Sequence, residues 1–468
     1  MPYEGEKASP TAHVALLQDP RFAEVAKGWA IRPDRAATAP PGGLTIADAD
    51  SLGPPGDIEL VVAIDGSVLD FPVDLGYMAI VTQIGAVTIN LAPYLASAGR
   101  HGQPVDLDAF RASQISDRIY WLMAGSGCQP ISGGDGFDLW RDNTDKALRK
   151  ARAAISSSWE PSLLDALMLL HGAPGAPSGT VHLDRCPYGC PSPLPDIGAD
   201  GARCPSCERV LYPTDVLRCH EEYEEHEMPG PNRTAANRLM FAGERLLSLL
   251  YIDHLYRHSP EALSSTMFFL DGPLAFYGPT APMHTKWVSY WSALSDGPHG
   301  APVLVGSDKT GAFIEHAKQI DRFFAPRQFA IPSNAYIVDN IRPGRGRASR
   351  GRIFGDDEYY GRYVLYKSAS GTMFALTIPR KRGSPYGAGD PCDPSEYPQL
   401  ATALAQFDKL QSSMYANALI PVVEAHNVTS LPVRSRPMFS DFVRRALGLP
   451  SSLNISHSQA TTTTRKEN

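Results

Sequence analysis

The chain has 468 residues, 43% of them hydrophobic and 20% charged, with a formal net charge of −7, the balance of an ordinary globular protein large enough for two or three structural units. No run approaches the roughly 20 apolar residues needed to span a bilayer, and the opening MPYEGEKASPTAHVALLQDP carries acidic residues and prolines where a signal peptide has a basic start and an apolar core, so a cytoplasmic protein without membrane contact is expected. The acidic balance argues against a uniformly basic nucleic-acid binder, but the charge is uneven: Arg342, Arg345, Arg347, Arg350 and Arg352 share one acid-free stretch, followed by Arg380, Lys381 and Arg382 and then Arg434, Arg436, Arg444 and Arg445, which fits a basic groove on an acidic body.

In chain order, residues 1–45 are rich in Ala and Pro and read as an N-terminal extension with one short helix around Phe22 to Ala30. The first part of the core is expected over 46–175. It opens on the run IELVVAID from Ile58, a buried strand by its β-branched content, closed by Gly66 and Ser67. YMAIVTQIGAVTINL follows a short turn as an antiparallel neighbour, and helical patterns are read over Asp108 to Ala124 and over Lys146 to Trp159, running on towards Leu170. A Gly/Pro/Ser linker at 172–182 leads into a cysteine-rich insert at 176–230. The second part of the core, 231–440, holds the amphipathic helix NRLMFAGERLLSLLYIDHLYR and the strand TMFFLDG. Further strands are expected at PVLVGSD, AYIVDNI, RYVLYKS and TMFALTIP, a helix from Tyr397 to Met414, and another starting at Ile420. Residues 441–468 are expected to be a flexible tail, the last eighteen polar and of low complexity.

Two features carry chemistry. Cys186, Cys190, Cys204 and Cys207 make a C-x3-C and a C-x2-C pair, with Pro and Gly in the knuckles. Paired thiolates of this kind converge tetrahedrally on Zn²⁺, and because all four positions are filled by protein the ion is structural. Disulfides are the alternative, disfavoured in a cytoplasmic chain. Cys219, His220 and His226 lie close enough in sequence to replace one ligand, while Cys128 and Cys392 are isolated. No role follows for the cluster Asp215, Arg218, His220 and Glu221 beyond capping a helix or touching DNA.

The second feature is a pair of aspartates, Asp65 in VVAIDGS and Asp271 in MFFLDGPL, each at the end of an apolar strand. A carboxylate there is costly unless paired, hydrogen-bonded or bound to a cation. Glu244 lies between them on the long helix, and two aspartates with a glutamate supply the oxygen ligands that Mg²⁺ or Mn²⁺ prefers. A pair of such ions about 4 Å apart can drive phosphodiester hydrolysis. Each residue has a plainer reading: a turn for either DG, a solvated helix-face charge for Glu244.

VVAIDGS, the helix with Glu244, FFLDGPLAFYG and VLVGSDKTGAF, in that order over most of residues 58–430, resemble the NurA family of DNA-end-processing nucleases. The resemblance implies an α/β fold with an RNase H-like mixed sheet flanked by helices, here carrying an inserted zinc ribbon, with catalytic Mn²⁺ or Mg²⁺, homodimers, and cooperation with the hexameric DNA-translocating ATPase HerA. By matching motifs it gives the metal-ligand role to Asp65, Asp271 and Glu244. ALIPVVEAHNV resembles the family's C-terminal helix, making His426 the further site residue and fourth metal ligand, with Glu424 as alternative. Lys309 is implied as a group that neutralises a phosphate oxygen. FGDDEYYGRYVLYK resembles the family's late strands, so Tyr360 and Arg362 join Arg342, Arg345 and Arg347 as expected DNA contacts. The extension and the ribbon depart from the shorter members. No Walker-type loop is present, so translocation must come from a partner. The competing expectation is an inactive RNase H-like scaffold that binds DNA and uses the ribbon for contacts.

Overall fold

The apolar, β-branched runs from Leu60 onward, buried almost continuously through the middle of two long strands, form a long antiparallel meander. β1 (Ile46–Asp48) precedes it, and β2 (Leu60–Asp74), β3 (Tyr77–Asn90) and β4 (Gln114–Ala124) pair antiparallel in turn. Four short strands follow in the cysteine-rich insert: β5 (Thr180–Val181), β6 (Ile197–Gly198), β7 (Ala202–Arg203) and β8 (Val210–Leu211). The main sheet resumes with β9 (Thr266–Asp271), which lies parallel beside β2, and β10 (Val303–Ser307), parallel beside β9. β11 (Gln328–Ala330), β12 (Arg362–Lys367) and β13 (Met373–Ile378) complete it through antiparallel pairs, giving the order β4-β3-β2-β9-β10-β13-β12-β11-β1. This computed structural model describes residues 18–29, 42–97, 112–156, 158–191, 193–225, 230, 232–342, 354–386, 390, 392–411 and 419–451. It divides into Met1–Pro41 and Gly42–Asn468. In the first unit a helix, α1 (Pro20–Lys27), starts with Pro at its first position and is capped by Asp19, which accepts from the Arg21 amide.

The helices cover both faces of the sheet. α2 (Leu91–Ser97) follows β3, α3 (Gly136–Lys150) and α4 (Leu163–Leu170) precede the insert, and α5 (Arg233–His258) and α6 (Met283–Asp296) flank β9. Val62, Ile64, Phe268 and Leu270 pack against α3 to α6 in one cluster. Their odd-numbered neighbours Val61, Ala63, Met267 and Phe269 face the other way, onto α8 (Leu400–Leu410) and α9 (Ile420–Thr429), as a period of two requires. α7 (Ala312–Ile320) covers the β12/β13 end, and α10 (Arg436–Ala446) packs Val443 on Leu69, Phe71 and Val81.

Several local expectations need correction. Residues 114–124 form a strand, because Ile119, Trp121 and Met123 are buried while Tyr120 and Leu122 are open, a period of two that sets β4 against β3. The helix read from Lys146 ends at Lys150. Residues 151–156 and 158–162 are non-helical, and Ser162 starts α4 with a capping box to Asp165. Gly66 and Ser67 do not close β2, which runs on to Asp74. AYIVDNI is helical over Asn334–Ile341, where the Ser333 hydroxyl accepts from the Tyr336 amide. The segment from 441 continues α10 to Ala446, whose apolar side is needed over the β2/β3 hairpin. The low-complexity end from 452 lies outside the described residues. The cysteine-rich insert packs Cys186, Cys204, Leu211 and Leu217 into the same cluster as α3 to α6.

Candidate functional site

Asp65 and Asp271 meet at the middle of the sheet. β2 and β9 run parallel with Ile64 opposite Leu270, so the next residues are the two aspartates, side by side on the face turned towards α9. They are close enough to share a hydrogen bond. Asp65 is 2% exposed, and burial first, then the Asp271 charge, push its pKa up, against the lowering influence of Lys309 and His426. Its Oδ2 lies 2.8 Å from the His426 Nδ1 and 3.4 Å from the Thr429 hydroxyl. α9 comes this close because the residue paired with Asp65 on β3 is Gly85, where a Cβ would stand 3.0 Å from the Thr429 methyl.

Asp271 differs from Asp65 in being half-buried at the end of its strand, where Gly272 turns the chain with φ +76°. Lys309, just beyond β10, donates to its Oδ2 at 3.0 Å. Both aspartates, Lys309 and His426 are therefore brought together. Glu424, the alternative on α9, lies instead beside Tyr94, whose hydroxyl feels its charge.

Glu244 approaches from the opposite face. It is 1% exposed on α5, and its Oε1 lies where a Cβ on Gly66 would come within 2.7 Å. Glycine follows Asp65 to admit this carboxylate, not to turn the strand. Burial drives the Glu244 pKa well up. The Arg245 charge opposes this, and the charges of Asp65 and Asp271 reinforce it. Its Oε2 accepts from Arg245 Nη1 at 2.5 Å. The three acids share an electrostatic neighbourhood without forming one tight cluster. Among the described residues the four cysteines are the group whose potential ligand atoms all lie within 4.8 Å of one another.

Two residues near the site were missed by sequence reasoning. Arg245 is fully buried within the apolar register of α5, a signal visible in GERLLSLL had charge been weighed against periodicity. Asp308, directly before Lys309, accepts from the Tyr363 hydroxyl at 2.7 Å, and burial raises its pKa to about 6.

The second centre is the ribbon. Cys186, Cys190, Cys204 and Cys207 converge, with amides at the sulfurs as tight knuckles provide: Tyr188 N lies 3.4 Å from the Cys186 Sγ, and the Ser206 and Cys207 amides address Cys204. Four cysteines in this arrangement could hold a structural metal such as Zn²⁺. Cys219 and His220 stand apart from this cluster, and His226 lies outside the described residues. The Asp215 group makes its contacts within the protein. Asp215 accepts from the Tyr212 amide and forms a buried pair with Arg141 of α3 at 2.6 Å, and Arg141 also donates to the Tyr188 hydroxyl and the Val210 carbonyl. Arg218 and Arg185 both grip Glu221, and His220 packs edge-on against Phe137.

The expected DNA contacts fare less well. Arg362 is fully buried and bound to Asp390 and the Pro332 and Pro385 carbonyls, and Tyr360 is stacked on Trp287 beneath the surface. Neither reaches a ligand, because inward-facing β12 and the turn before it demand their packing. Arg342 is half-buried with its charge acting on Asp308, while Arg345 and Arg347 lie outside the described residues. Of the later basic clusters, Arg380, Arg382, Arg436, Arg444 and Arg445 are each paired with an acid. No helix among the described residues is long and apolar enough to cross a membrane. No protein-family model matches the chain, and no similar sequence was found among curated proteins.

Proposed function

We propose that the protein is a divalent-metal-dependent DNA nuclease of the NurA type. The observation that carries the reading is the meeting of Asp65, Asp271, Lys309 and His426 from four separate segments at one point of the sheet. The strand order β4-β3-β2-β9-β10, with an antiparallel meander followed by two parallel additions, is compatible with the RNase H-like core this reading expects.

Two carboxylates this close repel each other, and the donor set of carboxylates and an imidazole suits Mn²⁺ or Mg²⁺. Such a cation, when bound, polarises water and neutralises charge on the scissile phosphate. Asp65 and Asp271 would hold it, with Glu244 as the nearby third carboxylate whose charge acts on both. Lys309, 41% exposed, is open to a phosphate oxygen and can leave Asp271 to stabilise charge gathering there. His426, 56% exposed, presents its outer face to substrate while its Nδ1 stays oriented by Asp65. The reading extends to a cytoplasmic homodimer working with a HerA-like motor in DNA repair or antiviral defence.

The test is the release of nucleotides from linear DNA in Mn²⁺. Replacing Asp65 and Asp271 with Ala should reduce cleavage by more than about 1,000-fold, at least the scale of one lost transition-state contact, while the fold persists by circular dichroism. Equal cleavage by both proteins would remove the assignment.

A further inference from the structure

Arg245 is a cation with no exposed surface, and burying one is expensive unless its donors are used. Its uses are specific. Nη1 donates to the Glu244 Oε2 at 2.5 Å and to the Phe241 carbonyl at 3.2 Å, and Nη2 donates to the Pro273 carbonyl at 2.9 Å. The guanidinium lies over the Phe241 ring at 5.1 Å and within reach of the Tyr360 hydroxyl, with Tyr360 itself stacked on Trp287. One planar fork therefore ties the α5 carboxylate to the turn that begins immediately after Asp271, and aromatic rings fix its plane. A helix packing on a sheet needs apolar residues at this position, so a buried Arg is explained better by what it joins than by stability.

We propose that Arg245 is the positioning residue of the acidic site, fixing Glu244 and the Gly272–Pro273 turn in one frame so that Glu244 and Asp271 are presented to a divalent cation together. The inference rests on the cation-binding reading above. Lysine can make one of the two bonds but cannot span both, since it lacks the fork.

The experiment compares the parent protein with Arg245→Met, Arg245→Lys, Glu244→Met and the double variant Glu244→Met/Arg245→Met. Mn²⁺ affinity is read by electron paramagnetic resonance and DNA cleavage by single-turnover rates. Loss of an orienting partner is expected to weaken Mn²⁺ binding by about 10- to 100-fold in Arg245→Met, with partial recovery in Arg245→Lys. The double variant, which has no buried charge left at this pair and folds on that account, should bind Mn²⁺ no more weakly than Glu244→Met, because both changes act through one carboxylate. Unchanged Mn²⁺ affinity in Arg245→Met, or losses that multiply in the double variant, overturns the inference. Should Arg245→Met misfold, unchanged affinity in Arg245→Lys overturns it equally. A parent protein that neither binds Mn²⁺ nor cleaves DNA sinks the cation-binding reading itself, a result distinct from normal cleavage by the Arg245 variants.

Discussion

The ribbon and the acidic centre are both sets of ligand-type side chains, yet they are assembled differently. All four thiols of the ribbon lie within residues 186–207 and converge within 4.8 Å. The acidic centre draws on residues 65, 244, 271, 309 and 426, from both faces of the sheet, and Glu244 is engaged by Arg245 rather than by the aspartates. Closing short loops between paired knuckles costs little entropy, so the ribbon geometry is set locally. The acidic centre exists only because β9 inserts parallel beside β2, and its like charges cost stability that the rest of the fold must offset. One region is assembled locally, the other by the tertiary fold.

Stripping the ribbon should give the largest effect that tests this contrast. Metal analysis should find stoichiometric zinc in the protein as purified, and Cys204→Ser should lose it. Since Cys186 and Cys204 are buried in the core that holds α5, the thermal midpoint should fall by more than about 10 °C, given that each kcal/mol is worth roughly 2–4 °C in domains of 150–250 residues. A Cys204→Ser protein that melts with the parent would mean the ribbon is a detachable appendage.

Next in size is the seam between ribbon and core. Arg141 and Asp215 are 2% and 3% exposed, so Arg141→Met leaves a buried carboxylate unpaired and should cost about 3–5 kcal/mol in chemical denaturation. Changing both residues to apolar ones should recover most of that. Failure to recover would show that the Tyr188 and Val210 bonds of Arg141, and not its charge, hold the seam.

The same contrast explains what could be read from the sequence. The cysteine spacing needed only local inspection. Asp65 and Asp271 were legible because a carboxylate ending an apolar run is anomalous in any fold. The purpose of Gly66 was not, because a glycine admitting a carboxylate from a distant helix looks like a turn until α5 is seen against β2. Residues 114–124 were misread as helix because IYWLMA satisfies either period until β3 supplies the partner. Arg362 was expected at DNA only through the resemblance of FGDDEYYGRYVLYK to late strands of that family, and its burial against Asp390 could not be read from that segment. Tertiary pairing decided each of these cases.

A methyl group at Gly66 tests the close approach across β2. In Gly66→Ala the Cβ would meet the Glu244 Oε1 at 2.7 Å and the Met240 Cγ at 2.9 Å, and overpacking of this kind costs about 1–3 kcal/mol. Both the thermal midpoint and Mn²⁺ affinity should drop. A drop in midpoint alone would place Glu244 outside the cation site.

The smallest effect concerns Asp308. Burial, the first cause, with a lesser contribution from Asp271, lifts its pKa from 3.8 to about 6 against the Tyr363 bond and Arg342. Between those values the unfolded chain has released its proton while the folded chain keeps it, so Asp308 lowers stability progressively as pH rises through 3.8 to about 6, and its full cost applies above that window. Asn removes this dependence and keeps an oxygen for Tyr363. The midpoint difference between Asp308→Asn and the parent should therefore shift in favour of the variant from pH 4 to pH 6.5 and stay level beyond. The slope, not the offset, is the test, because replacing a carboxylate that faces Arg342 changes the offset at every pH. A difference that does not vary with pH would mean that Asp308 is as well solvated as an ordinary surface carboxylate, and that the acidic centre ends at Asp271.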